Sequence, residues 1–74
     1  MGIAIGAMGE VIVAIRGEGG PGEVLVKVHG TKESFIAESV EPIPRGQTVL
    51  VIAVGPHRHV TVVPWTDLTV PHTL

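Results

Sequence analysis

Two histidines flank an arginine in the segment His57-Arg58-His59, just before a stretch rich in valine. An H-x-H pair on a β-strand places both imidazole rings on one face, which is a suitable start for a zinc site. Such a site needs three or four ligands, and the other candidates are distant in sequence. We therefore interpret His57 and His59 as solvent-facing turn histidines and predict no metal site. The alternative, a bound metal, would have to recruit ligands from His29, Glu41, Asp67 and His72.

The groups of a serine hydrolase triad are also present, because Ser34, Ser39 and Asp67 accompany the four histidines. No nucleophile elbow or other local signature surrounds either serine. The glycine-rich segment 17–22 has no following helix pattern and no Lys-Ser/Thr pair, so phosphate binding lacks its mechanical basis. We predict that the chain is not an enzyme and has no catalytic residue and no cofactor, and that segment 17–22 is a flexible hairpin loop.

Composition restricts the partners of this chain. It has 74 residues, no cysteine, a net charge of −2, one Phe, one Trp and no Tyr. A nucleic-acid-binding barrel stacks bases on aromatic side chains in a positive groove, so we expect no binding to nucleic acid. Only 16% of the residues are charged and the mean hydropathy is +0.47, which favours a surface patch covered by a partner. The five basic residues are scattered singly: Arg16, Lys27, Lys32, Arg45 and Arg58.

The elements that must position these residues are β-strands. Val, Ile and Thr dominate, and Gly and Pro recur every few residues. Five runs are predicted as strands, at residues 10–16, 23–29, 32–38, 48–54 and 59–63, with Gly30-Thr31 as the turn between the second and third. Pro42 and Pro44 exclude a regular helix in segment 39–47, so a loop is expected there. Phe35, Ala37, Val49, Val51, Val60 and Val62 are spaced by two within their runs, as inward barrel positions are.

This pattern predicts an all-β fold, a small five-stranded Greek-key barrel of the OB type with no substantial helix. A short β-sandwich or an SH3-like barrel is the alternative. The predicted layout is a barrel over residues 9–65, an apolar N-terminal tail over 1–8 and a partly packed C-terminal tail over 66–74. The segment 1–8 is too short to span a bilayer. It is a frayed tail or the remainder of a longer membrane segment.

The fourth run, TVLVIAV, is apolar on both faces. One face fills a barrel and the other needs a cover, from the chain's own tails or from a partner. Trp65 follows the last run and is either a cap on the barrel end or an anchor for a protein partner. The predicted protein-interaction residues are therefore Leu50, Ile52 and Trp65.

A spaced series of residues resembles the C-terminal domain of NfeD-like proteins over about residues 8 to 65. The series includes the opening Gly9-Glu10-Val11 and the strand from Gly22 to Val28. It continues with Phe35-x-Ala37-x-Ser39-x-x-x-Ile43-x-x-Gly46-x-x-Val49-x-Val51, Val54 and Val60-x-Val62-x-Pro64. Two features depart from the pattern. The family often has Trp or another large residue where this chain has Phe35, and Gly55-Pro56-His57-Arg58 replaces what is commonly a short glycine-centred hairpin.

The resemblance implies a function that the residues alone do not. Such domains are OB-fold barrels attached to membrane-spanning segments, and they work with stomatin- and flotillin-like membrane proteins in the regulation of membrane proteases. The expectation is a non-catalytic interaction domain of a membrane-associated protein, with the barrel in the cytoplasm and membrane contact only through segments absent from this chain. Self-association is also possible. The alternatives are a free-standing adaptor or oligomerising barrel, and a small metal- or ligand-binding barrel.

Overall fold

The fold is built almost entirely from β-strands. The computed structural model describes residues 5–65, and within them no helix is long and apolar enough to cross a bilayer. One turn of 3₁₀ helix, Gly17–Gly19, separates the second and third strands. The strands are β1 Met8–Val13, β2 Ile15–Arg16, β3 Gly22–Val28, β4 Thr31–Glu38, β5 Pro42–Ile43, β6 Thr48–Gly55 and β7 His59–Pro64.

Five of these strands form a closed barrel in the order β1-β3-β4-β7-β6, with β6 pairing back to β1. All neighbours are antiparallel except β4 and β7, which run parallel over three residue pairs. A five-stranded Greek-key barrel with this order is an OB-type barrel, so the predicted fold class is confirmed. Segment 39–47 contains the two-residue strand β5 and no helix, as the two prolines predict.

The core is a single cluster of aliphatic side chains with one aromatic ring. Alternate residues of each strand point inward, and valine suits these positions because its branched side chain packs well in a small barrel. All six inward positions predicted from the spacing are buried, which confirms the strand phase: Phe35, Ala37, Val49, Val51, Val60 and Val62. Val11, Ile15, Val24, Val26, Val28 and Ile43 complete the cluster.

The first predicted run, 10–16, is two strands rather than one. The β1–β3 register shifts between Val11 and Val13, and the chain leaves the barrel at Ala14. Gly22 explains the break, because a side chain there would collide with the carbonyl oxygens of Val13 and Ala14. The backbones of two strands cross closely at this point, which only a glycine permits.

After the break, β2 pairs with β5 in a second, two-stranded sheet over one end of the barrel. Ile15 and Ile43 face each other in this pair and are both buried in the main core. Gly17 makes the approach possible, with a φ of +66° and its Cα against Pro42. The expected hairpin loop 17–22 is therefore a 3₁₀ turn packed on β5 rather than a simple wide turn.

Smaller differences concern strand ends. The turn between β3 and β4 is His29-Gly30 rather than Gly30-Thr31, because both central residues take positive φ and Thr31 already pairs with Val28. At the N-terminus, β1 begins at Met8, a residue that the sequence layout places in the tail. Residues 6 and 7 also contact the barrel, since Gly6 N–H donates to Val51 O and Val51 N–H donates to Ala7 O. The predicted tail 66–74 lies outside the described residues.

A candidate interaction face

The outer surface of β1, β6 and β7 carries a row of apolar side chains. Met8 pairs with Leu50 on one side of β6, and Leu50 pairs with Val63 on the other. Residues paired directly across strands point to the same side of a sheet, with Cβ atoms about 5 Å apart. Met8 is 41% exposed, and Leu50 and Val63 are half-buried. Three strands therefore present one continuous apolar row to solvent.

Two further apolar residues extend this row along the strands. Ile52 follows Leu50 by two positions and is 44% exposed at a bulge, where the β6–β7 register shifts between Val51 and Ala53. Trp65 follows Val63 by two positions and is also 44% exposed. The structure thus brings the three predicted residues together on one side of the barrel and adds two others. The apolar face, as used below, consists of Met8, Leu50, Ile52, Val63 and Trp65.

The backbone fixes Trp65 at the edge of the apolar face. Its N–H donates to Thr48 O at 2.9 Å, which continues the β6–β7 ladder one residue beyond Pro64. The Gln47 side-chain amide donates to both Thr48 O and Trp65 O, at 3.1 and 3.2 Å. An aromatic residue held at a strand end and left half-exposed is well suited to anchor a protein partner.

The two turn histidines lie at the far end of the β6–β7 hairpin. His59 Nε2 is 3.4 Å from Glu38 Oε2, and His57 lines a cavity of about 420 Å³ beside them. Among residues 5–65 no group of three His, Asp or Glu side chains could hold a metal ion. Asp67 and His72, which the sequence offers as further ligands, lie outside the described residues.

The two serines considered for a catalytic triad lie in different surroundings. Ser39 is buried and its Oγ accepts the N–H of Glu41 at 3.2 Å. Ser34 is exposed on β4, and its carbonyl accepts the Arg58 guanidinium at 3.0 Å. In the part of the chain that the structure describes, neither serine has a side-chain hydrogen bond to a histidine.

A family model for the NfeD C-terminal domain matches residues 8–63, three quarters of the chain. The chain belongs to the NfeD C-terminal domain family. The resemblance seen in the sequence is therefore confirmed. Leu50 and Ile52 lie within the matched residues, and Trp65 lies just beyond them.

Two solved structures are similar to this NfeD domain. The soluble domain of the NfeD protein YuaF from Bacillus subtilis is 34% identical, with 80% of this chain and 70% of that one covered and a TM-score of 0.68. The C-terminal domain of stomatin operon partner protein 1510-C from Pyrococcus horikoshii is 26% identical, with 85% and 89% covered and a TM-score of 0.61. A comparison with curated protein sequences found no significant match.

Arg58 of this NfeD domain makes contacts with β4 that were not predicted from the sequence. Its Cζ lies 4.6 Å from the centroid of the Phe35 ring, and its guanidinium donates to Glu33 Oε1 at 3.1 Å. Its backbone oxygen accepts the N–H of Ile36 at 2.8 Å. All these partners are on β4, so the contacts depend on the parallel β4–β7 pairing. No local sequence pattern signals such a pairing.

Proposed function

We propose that this chain is a non-catalytic protein-interaction domain of an NfeD-type membrane protein, and that it binds a stomatin- or flotillin-like partner through the apolar face. The observation that carries the proposal is the continuous row of Met8, Leu50 and Val63, extended by Ile52 and Trp65, on the outside of an already closed barrel. A closed barrel has used its inward positions for its own core, so these outward apolar side chains contribute nothing to that core.

The kind of partner is suggested by a relative. The protein from Pyrococcus horikoshii that this chain resembles is described as a stomatin operon partner. We extend that association to this domain and place its role in membrane protein quality control and the regulation of membrane proteases. We further place the barrel on the cytoplasmic side of a membrane. The absence of cysteine in the sequence is compatible with that reducing compartment.

The decisive experiment changes the apolar face without changing the core. Ile52→Lys places a charge on the exposed face, where the long side chain can remain in solvent and the fold should survive. A stomatin-like protein from the same organism is titrated with the domain by calorimetry. We expect the affinity to fall at least tenfold, because a lysine in a dry apolar contact loses its hydration.

The matched control is Val40→Lys. Val40 is 81% exposed and lies in the segment after β4, away from the apolar face. It also exchanges an exposed aliphatic side chain for lysine, so it reproduces the change in charge and hydropathy. Equal affinity for the wild type and a well-folded Ile52→Lys variant would rule out the apolar face as the contact. Sedimentation of the domain alone tests whether a second copy occupies the same face.

A further inference from the structure

The row that contains Met8, Leu50 and Val63 continues beyond Met8 across β3 and β4, where its next two residues are lysines. In the β1–β3 register Gly9 pairs with Val26, so the next step places Lys27 beside Met8. Lys27 pairs directly with Lys32 on β4. One line across all five barrel strands therefore runs from two directly paired lysines to an apolar row.

The two lysines form an unfavourable pair. Like charges directly opposite each other on neighbouring strands destabilise a sheet. Within residues 5–65 neither lysine makes an ion pair, although the chain has seven acidic and only five basic residues. Glu10 is the one carboxylate that lines the shallow cavity of about 210 Å³ beside them, and it makes no ion pair with either. Two positive charges of an acidic protein thus lie on this surface without an ion-pair partner among the described residues.

The shape of the surface limits what can cover it. Strands in a sheet lie about 4.8 Å apart, so the row from Met8 to Val63 is about 10 Å wide, the diameter of an α-helix. Trp65 and Ile52 extend the apolar face along the strands by about two to three helical turns. Lys27 stands beside Met8 on one side of this area, and Lys32 lies one strand further out. An amphipathic helix fits it if one flank of the helix is acidic.

We infer that the apolar face and the Lys27–Lys32 pair form one docking surface for an amphipathic protein segment that carries carboxylates along one flank. The inference rests on the proposed function and specifies the chemistry of the partner's contact. Carboxylates beside the two ammonium groups would relieve their repulsion, and the apolar stripe of the segment would cover Met8, Leu50 and Val63.

The test reverses the charge of the pair with Lys27→Glu/Lys32→Glu, and the same stomatin-like protein serves as the probe. We expect at least a tenfold loss of affinity in low salt and a smaller loss in high salt, because screening weakens exposed charge pairs. Arg45→Glu is the control, since it reverses an exposed cation in the turn before β6. If Ile52→Lys abolishes binding and the double reversal does not, the charged contact is overturned while the proposed function stands.

A second measurement tests the lysine pair without any partner. Lys32→Gln removes the repulsion, so the melting temperature of the domain should rise at low salt and the difference should shrink at high salt. An unchanged melting temperature at low salt would overturn the premise. Two other results would overturn the acidic segment as the occupant of this surface. One is binding of phosphatidylcholine–phosphatidylserine vesicles to the wild type and not to Lys27→Glu/Lys32→Glu. The other is a dimer of the wild type that the same double substitution dissociates.

Discussion

Two hairpin turns of this barrel both require positive φ at two adjacent residues, and different contacts stabilise them. In the turn between β3 and β4, His29 and Gly30 have φ values of +51° and +85°. In the turn between β6 and β7, His57 and Arg58 have values of +58° and +59°. Positive φ at both central residues matches the right-handed twist of the flanking strands, but residues with a Cβ adopt it at a cost.

The β3–β4 turn is supported locally. Gly30 takes positive φ without steric cost, and an added Cβ there would meet nothing within 4 Å. The Thr31 hydroxyl donates to Val28 O at 3.0 Å and closes the turn from within. The contacts that support this turn therefore come from residues 28–31.

The β6–β7 turn has no central glycine and is supported by the rest of the barrel. The His59 N–H bonds Pro56 O at 3.2 Å, and Arg58 reaches back to Phe35, Glu33 and the Ser34 carbonyl on β4. A non-glycine residue persists at positive φ where surrounding contacts over-determine it. This second turn is therefore also part of the short parallel junction between β4 and β7, which share only three residue pairs.

The largest effect is expected from Arg58→Ala. It removes the contact with the Phe35 ring, a hydrogen bond to a carbonyl and an exposed ion pair, together worth about 1–2 kcal/mol. Chemical denaturation should show this loss in the free energy of unfolding. Arg45→Ala removes an exposed arginine that makes no such contact with residues 5–65, and it should change little. A loss no greater than that of Arg45→Ala would mean that the turn needs no support from β4.

Gly30→Ala should have the next largest effect. The methyl group has open space around it, so the cost is the backbone conformation alone, about 1 kcal/mol. Gly55→Ala is the matched control, because its φ is not in the left-handed region and its added Cβ would make an ordinary contact with His59. Thermal unfolding should separate the two variants. Equal melting temperatures would show that the turn can relax to another geometry.

His57→Gly should act in the opposite direction and stabilise the domain by about 0.5 kcal/mol. Glycine removes the cost of positive φ, and the greater entropy of the unfolded chain offsets part of the gain. Arg58→Gly receives the same backbone relief but loses the contacts with β4, so it should remain destabilised. If both glycine variants were stabilised, the contacts of Arg58 would be without energetic value.

The smallest effect is expected from Glu33→Gln, which removes the negative charge of the carboxylate paired with Arg58. The side chains of Arg58 and Glu33 are 56% and 41% exposed, so solvent screens their attraction. A loss of a few tenths of a kcal/mol at low salt should disappear at high salt. A larger, salt-independent loss would indicate that Glu33 positions Arg58 over the Phe35 ring.

The barrel could be predicted because the sequence patterns that indicate it are local. Alternation of valines identifies the inward positions from Phe35 to Val62, and the prolines at 42 and 44 exclude a helix. The break at Ala14 could not be predicted, because it depends on β3 passing close to β1 at Gly22. The sheet of β2 and β5 was missed for a similar reason, since strands of two residues carry no periodicity.

The candidate interaction face was predicted only in part, because strand pairing that the sequence does not reveal brings some of its residues together. Leu50 and Ile52 follow from a strand that is apolar on both faces. Val63 joins them only when the β6–β7 register is known, and Met8 only when β1 is known to pair with β6. The opposition of Lys27 and Lys32 depends on a two-residue turn, and a turn shifted by one residue does not place them together.

Closure of the barrel through β1 and β6 has a consequence for how the chain folds. Met8 and Leu50 are 42 residues apart in the chain, so an unfolded molecule must close a long loop before this pair forms. The β3–β4 hairpin needs only a two-residue turn and can form early. Contacts so distant in sequence slow folding, and small all-β barrels take about milliseconds to seconds. The β1–β6 seam is therefore expected to be the last to assemble and the first to open.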